Sequence, residues 1–390
     1  MKNIIGYFLI FISIILVLYV FFTSKVTNQN PTFSTYTLLS SSWEKYKTQF
    51  MNPQGRVIDY SQGGITTSEA QSYAMLRAVW IGDKTTFDNA WTWTKNDLKR
   101  PNDWLFGWRW GKKSNGTYGF QSASDMNSAS DADEDIAFAL ILASKRWNQP
   151  SYLSQAMPIL NDIWKIEVGT ASGKRYLTAG NWANVKGKLI INPSYFAPYE
   201  YRVFAQVDKQ HDWNSLINPG YGMLKNSSSL PLDKSKSVGL PPDWISMDQS
   251  TGQITPTGIS GLTTNYAYEA VRIPWRIYLD YHWNNSQQAL NYLKHNFNFL
   301  ISLYKQNGKL ASVYAHDGSV VSQNEGPVMY STSLAFFLVN DPSLAKKVYQ
   351  DKILSLYSND TNSFNSNLPY YEQNWLWFGA ALYDNQLQEF

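Results

Sequence analysis

The 390 residues carry 33 Lys and Arg against 30 Asp and Glu, a formal charge of +3 without basic runs, which leaves no electrostatic footprint for nucleic acid. The chain has no cysteine, which excludes disulfides, thiolate zinc sites and a thiol nucleophile. Its 16 Trp, 26 Tyr and 19 Phe often stand beside polar residues, and flat apolar rings with a polar handle suit the C–H faces of sugars, although the ordinary place of any one ring is the core.

In chain order, the first element is residues 4–22, nineteen residues without a charge. As a helix they would run about 28 Å, close to the roughly 30 Å hydrocarbon core of a bilayer. A cleaved signal peptide would have a shorter apolar region and an Ala-x-Ala-like site, and residues 22–34 contain none. The expectation is an uncleaved single-pass signal anchor after a short cytoplasmic stretch at residues 1–3. Secretion after cleavage is the alternative. Lys2 and the amino terminus against Lys25 place the body outside the cell by a slim charge bias. Residues 23–38 then read as a polar tether, leaving 39–390 as one folded domain.

Helical periodicity follows at 68–80, 85–98, 131–147, 151–166, 195–206 and, briefly, 212–216. It continues at 266–281, 286–304, 328–338, 342–357 and 371–387. Two-residue alternation is confined to short candidates at 188–191 and 310–314. The fold class expected is all-α, as helical pairs in one toroid without a mid-chain linker.

Two of these helices open on carboxylates. Residues 129–147 read Ala-Ser-Asp-Ala-Asp-Glu-Asp-Ile-Ala-Phe-Ala-Leu-Ile-Leu-Ala-Ser-Lys-Arg-Trp. Asp131, Glu134 and Asp135 share one face, where like charges cost roughly 0.2–0.5 kcal/mol per pair. The helix N-terminus returns roughly 0.3–1 kcal/mol per acid, with Ser128 or Ser130 as the expected N-cap. Upstream, Thr67-Ser68-Glu69-Ala70-Gln71-Ser72-Tyr73-Ala74-Met75-Leu76 again sets a carboxylate at the start of a small-residue helix. Two such carboxylates suggest acid and base chemistry, although each alone is compatible with an ordinary helix start.

At these residues the chain resembles glycoside hydrolase family 8, the bacterial cellulase, chitosanase and oligoxylanase family. Residues 129–147 fit that family's signature throughout, and 68–76 resemble its Ser-Glu-Gly-Gln-Gly-Tyr-Gly-Met-Leu with three glycines replaced. Similar stretches at 105–110, 192–196, 240–244, 268–275 and 370–379 extend the resemblance over about residues 39–382.

The resemblance implies an (α/α)6 barrel and a hydrolase that inverts the anomeric centre of a β-linked polysaccharide. It implies Glu69 as general acid and Asp131 as the residue that holds the sugar at the cleavage point. At the position of the general base many members carry Tyr-Asp-Ala followed two residues later by Arg. Here Tyr268-Glu269-Ala270-Val271-Arg272 supplies a glutamate, with about 1.5 Å more reach. An inverting pair needs carboxyls about 6.5–9.5 Å apart, a window that Glu269 can meet, whereas about 5–5.5 Å would bring in a retaining mechanism. Asp243 in Leu-Pro-Pro-Asp-Trp, or Asp233 before it, remains an alternative base. Tyr268 and Arg272 match central-subsite positions, and Arg272 is equally suited to pair with a buried acid. Trp108, Trp110, Tyr195, Tyr370 and Tyr371 are candidate sugar platforms.

Other chemistries leave little trace. His211, His282, His295 and His316 show no metal spacing, and no nucleophile elbow or phosphate loop occurs, so no metal or organic cofactor is expected. Residues 316–318 read as a turn. The leading expectation is therefore an endo-acting glycosidase anchored in the cell membrane, with a polysaccharide substrate and the lipid bilayer as partners. The anchor suggests work beside a polysaccharide synthesis or export machinery, as in exopolysaccharide-associated endoglucanases. A glycan-binding protein that lost its base is the second reading, and a polysaccharide lyase a remote third. Loops at 170–188 and 224–239 are expected to select the sugar.

Overall fold

The computed structural model describes residues 35–390, so the expected anchor at 4–22 lies outside the described residues. Thirteen α-helices occur among the described residues: α1 (Thr35–Phe50), α2 (Ser68–Ile81), α3 (Lys84–Trp93), α4 (Ser130–Arg146), α5 (Pro150–Asp162), α6 (Pro198–Val207), α7 (Ile217–Ser229), α8 (Ile273–Asn284), α9 (Gln287–His295), α10 (Asn298–Asn307), α11 (Pro327–Asn340), α12 (Pro342–Val348) and α13 (Tyr370–Tyr383). Six of them close a ring by packing in the order α2, α4, α6, α8, α11, α13 and back to α2. The others, including α1, α3, α5, α7, α9 and α12, pack against that ring from outside. This arrangement agrees with the barrel that the resemblance implies. None of the described helices is long and apolar enough to cross a membrane.

Sequence explains which helices lie inside. α4 is buried from Ser130 to Ala143, and its Ala-Phe-Ala-Leu-Ile-Leu-Ala run at 137–143 is apolar all round, as suits a ring helix. Its first turn holds Asp131 and Asp133 and its last turn Lys145 and Arg146, matching the helix dipole at both ends. α11 and α13 approach closely because Gly379 has no side chain: a Cβ there would stand 2.7 Å from Cβ of Ser331. Aromatic rings fill the ring's interior, with Trp275 edge-on to Trp80 and to Trp375, and Phe378 among them. The aromatic excess is therefore largely core.

Several expected boundaries shift for local reasons. α1 begins at Thr35, inside the stretch expected as tether, because Leu38, Leu39 and Trp43 are buried against the body. The expected helix at 266–281 starts only at Ile273, since 266–272 is a loop ending in a single 3₁₀ turn. The short element at 212–216 is a 3₁₀ turn that leads into α7, a helix hidden in the sequence by Asn-Pro-Gly-Tyr-Gly. Residues 286–304 divide into α9 and α10 around Asn296 and Phe297. Neither Ser128 nor Ser130 caps α4: its N-cap is Ala129, while Ser130 donates to the Thr178 carbonyl and Ser128 to Glu167. The all-α expectation also omits small antiparallel sheets on the connections. The largest has four strands, which include 188–191 and 245–248, and the loop expected at 170–188 contains part of a hairpin formed by 168–171 and 174–177.

Candidate active site

The ring helices place the site by where they begin. α2, α4 and α13 start at one end of the barrel with Glu69, Asp131 and Tyr370 in their first turns, and the turn before α8 adds Glu269 and Arg272. Helix N-termini favour carboxylates, so this end of the ring is suited to gather acids. Thr67 caps α2 by accepting from the Ala70 N–H (3.1 Å), which fixes where Glu69 emerges.

Arg272 is the hub. It is 1 % exposed, and all its donor nitrogens are engaged. Nη1 donates to Oε2 of Glu69 (2.9 Å), to Oδ2 of Asp131 (2.7 Å) and toward the Tyr73 hydroxyl (3.2 Å). Nη2 donates to Oγ of Ser194 (2.9 Å) and to the Glu269 carboxylate, and Nε to the Glu269 carbonyl (3.3 Å). The Tyr195 ring lies 5.3 Å from the guanidinium. One cation thus holds three carboxyl side chains.

Three acids on one cation cannot all ionise cheaply. Burial pushes Glu69 up to about 7; Arg272 opposes the shift and the neighbouring Asp131 and Glu269 reinforce it. Its side chain remains 23 % exposed, and the Tyr370 hydroxyl donates to its other oxygen (3.2 Å). Asp131 is 2 % exposed and is also raised by burial, against the pull of Arg272. Glu269 keeps 33 % side-chain exposure and accepts from Nδ2 of Asn192 (2.8 Å). Asn192 is itself oriented, because its Oδ1 accepts from the N–H and hydroxyl of Ser194 (3.0 and 2.7 Å). Of the three carboxyl side chains on Arg272, those of Glu69 and Glu269 keep solvent access, whereas that of Asp131 is buried.

The other expected residues divide. Trp108 is 37 % exposed, and its carbonyl accepts from the Ser68 N–H beside Glu69, which suits a platform. Trp110 is not a free platform, because it is stacked on Tyr118 at 5.3 Å and covered by the Arg56 guanidinium at 4.6 Å. Tyr268 is exposed, and the Tyr371 hydroxyl donates to its carbonyl (2.6 Å). Tyr195 and Tyr370 are buried and touch the cluster with the contacts already described. Asp233 stands apart, paired with Lys234 (3.2 Å) and hydrogen-bonded by Thr264. Asp243 is buried, and its Oδ1 accepts from two backbone N–H groups, of Ala267 and Ala270; burial pushes it up to about 7 against those two bonds.

Asn192, Ser194 and Tyr73 were not among the expected site residues, though all lie within the resembling stretches. Polar side chains beside Pro193 and in the first turns of α2 were the available signal. Trp182 and Trp244 extend Tyr195 into a row of rings, with centroids 6.3 and 6.1 Å apart in succession. The four histidines bond to separate partners, Asp208, Asn385, the Asn291 carbonyl and the Leu230 carbonyl.

Comparison with known proteins settles the family. The model of glycosyl hydrolases family 8 matches residues 8–380. The chain belongs to glycoside hydrolase family 8. Among relatives of this family 8 chain, an endoglucanase of Cellulomonas uda is 32% identical over 251 residues, covering 64% of this chain and 65% of that protein. Among solved structures, the endo-1,4-D-glucanase of Vibrio fischeri ES114 has a TM-score of 0.75 at 25% identity, covering 88% of this chain and 94% of the other. The β-1,3-1,4-glucanase of Paenibacillus sp. X4 shares the fold, with a TM-score of 0.73 at 24% identity, covering 92% and 94%. The family 8 chain spans 65% of the length of its first curated relatives.

Proposed function

We propose that this family 8 protein is an endo-acting hydrolase of β-linked glucan that inverts the anomeric centre in a single displacement. The observation that carries the reading is the pairing on Arg272 of a Glu69 carboxyl raised to about 7 with a second accessible carboxylate, Glu269. Glu69 gives its proton to the glycosidic oxygen as the C1–O bond breaks. A water attacks C1 from the opposite face and passes its proton to Glu269. Asp131, held by Arg272 on one oxygen and by the Ala132 N–H on the other, bonds the sugar hydroxyls at the cleavage point. Trp108, and Trp244 and Trp182 beyond the buried Tyr195, supply apolar faces for successive sugars.

The endoglucanase and glucanase activities of these relatives support a β-1,4- or mixed-linkage glucan as the substrate. The test is reducing-end release by the full-length chain, in mild detergent, from carboxymethylcellulose, barley glucan, xylan and chitosan. Release from the glucans that vanishes in Glu69→Gln is expected. Release surviving that substitution would remove Glu69 as the acid, and detectable binding without turnover would favour the glycan-binding reading.

The same proposal places the enzyme at the outer face of the cell membrane, anchored through residues 4–22, where it meets glycan leaving the cell. Its support is the uncharged nineteen-residue stretch. Membrane fractionation should recover the intact chain with the bilayer, whereas a soluble form in the medium processed beyond Phe22 would contradict the anchor.

A further inference from the structure

Residues 270–272 form a single 3₁₀ turn whose N-cap is Glu269, and the Glu269 side chain makes no capping hydrogen bond. It is turned away to Arg272 and Asn192 instead. The first N–H groups of such a turn need acceptors, and a cap that faces a substrate cannot provide them.

Asp243 fills that gap from another segment. Its Oδ1 accepts from the Ala270 N–H (2.7 Å) and from the Ala267 N–H (3.1 Å), on either side of Tyr268 and Glu269. Its own N–H donates to the Asn265 carbonyl (2.7 Å), so Asp243 is tied to the same loop at both ends. The side chain is buried beneath that turn. The Tyr371 hydroxyl pins the Tyr268 carbonyl from the far side. We infer that Asp243 is a positioning residue that caps the 267–272 turn in place of Glu269, leaving the Glu269 carboxylate free to serve as base. Asp243 then acts through one acceptor oxygen, not through proton transfer. The inference rests on the hydrolase reading for its kinetic consequence and on geometry alone for its structural one.

An asparagine keeps the acceptor oxygen and removes the ability to take a proton, which separates the two roles. In the full-length chain, Asp243→Asn should keep kcat within about threefold of the parent. Asp243→Ala should lose about 30-fold in kcat with KM changed less than about threefold, and Glu269→Gln should lose activity outright. Crystal structures should show residues 267–272 and the Glu269 carboxylate in place in the asparagine variant and displaced in the alanine variant. If alanine prevents folding, near-parental kcat in the asparagine variant still assigns the role to the acceptor oxygen. An asparagine variant as inactive as Glu269→Gln, with the turn undisturbed, would make Asp243 the base and overturn the inference. An alanine variant with parental kcat and an unmoved turn would show that the cap is dispensable. Should the parent hydrolyse none of the polymers, the hydrolase reading fails, while the position of the turn in the two crystal structures still decides the role of Asp243.

Discussion

Two layers of buried charge sit one helical turn apart on the same pair of helices, and they behave differently. The upper layer pairs Asp131 of α4 with Arg272 at the start of α8; the lower pairs Asp135 with Arg276. In the lower layer Arg276 grips both oxygens of Asp135 (3.1 and 3.0 Å) and reaches Glu200 (3.3 Å), all three side chains being 3 % exposed or less. Burial holds the carboxyls of Glu200 and Glu134 well above the usual range, which favours their uncharged forms. In the upper layer the surplus acids, Glu69 and Glu269, keep partly exposed side chains. The difference is access: the lower acids are fully buried, whereas the Glu69 and Glu269 side chains keep 23 % and 33 % exposure, and the proposed proton transfer uses that access.

Perturbing each layer should therefore give opposite phenotypes. The largest effect is expected from Arg276→Ala, which strands a buried aspartate and costs about 3–5 kcal/mol; thermal denaturation should show a large fall in Tm or no folded protein. The double variant Asp135→Leu with Arg276→Met should recover much of that loss. Glu69→Gln should instead lower kcat by about 10³-fold while Tm stays or rises, since it relieves a crowded set of acids. A variant of Glu69 that unfolded the protein would erase the distinction between layers.

The pH profile sharpens the same contrast. A general acid at about 7 is lost by deprotonation, so kcat should fall as pH rises through about 7. Because the folded protein holds this proton more tightly than the unfolded chain, the Glu69 contribution to stability should also decline between the ordinary carboxylate range and about pH 7. Comparing denaturation midpoints of the parent and Glu69→Gln from pH 4 to 8 tests that sign.

Smaller effects follow at the edges of the upper layer. Trp108→Ala should raise KM about tenfold with Tm unchanged, whereas Trp110→Ala should lower stability by about 3 kcal/mol and leave KM of the folded fraction near parental. Ser194→Ala, which removes one of the Arg272 contacts, should cost about 1 kcal/mol of stability and a few-fold in kcat. Equal effects of the two tryptophan substitutions on KM would mean that Trp110 reaches substrate after all.

Much of this arrangement was legible in the sequence because local pattern and chemistry coincide there. Glu69 and Asp131 stand at the starts of helices whose small and apolar residues mark them as ring helices, and the resembling stretches brought Arg272 and Glu269 into view. What the sequence could not display is that one guanidinium joins residues 69, 131, 194 and 269, since that contact exists only once the ring closes. The serines beside Asp131 looked like caps, yet their hydroxyls are drawn off by Thr178 and Glu167. Trp110 shares a motif with Trp108 but lies within a short strand, where Arg56 and Tyr118 cover it, whereas Trp108 precedes that strand. α7 was missed because Pro219, Gly220 and Gly222 hide a helix that tertiary packing stabilises.

The central claim is that Glu69 and Glu269, hung from opposite nitrogens of Arg272, act on opposite faces of one glycosidic bond. Proton NMR of the first product released from barley glucan or carboxymethylcellulose, read before mutarotation, tests it most directly. Initial release of the α-anomer is the predicted result, and initial release of the β-anomer would contradict the account by showing a double displacement.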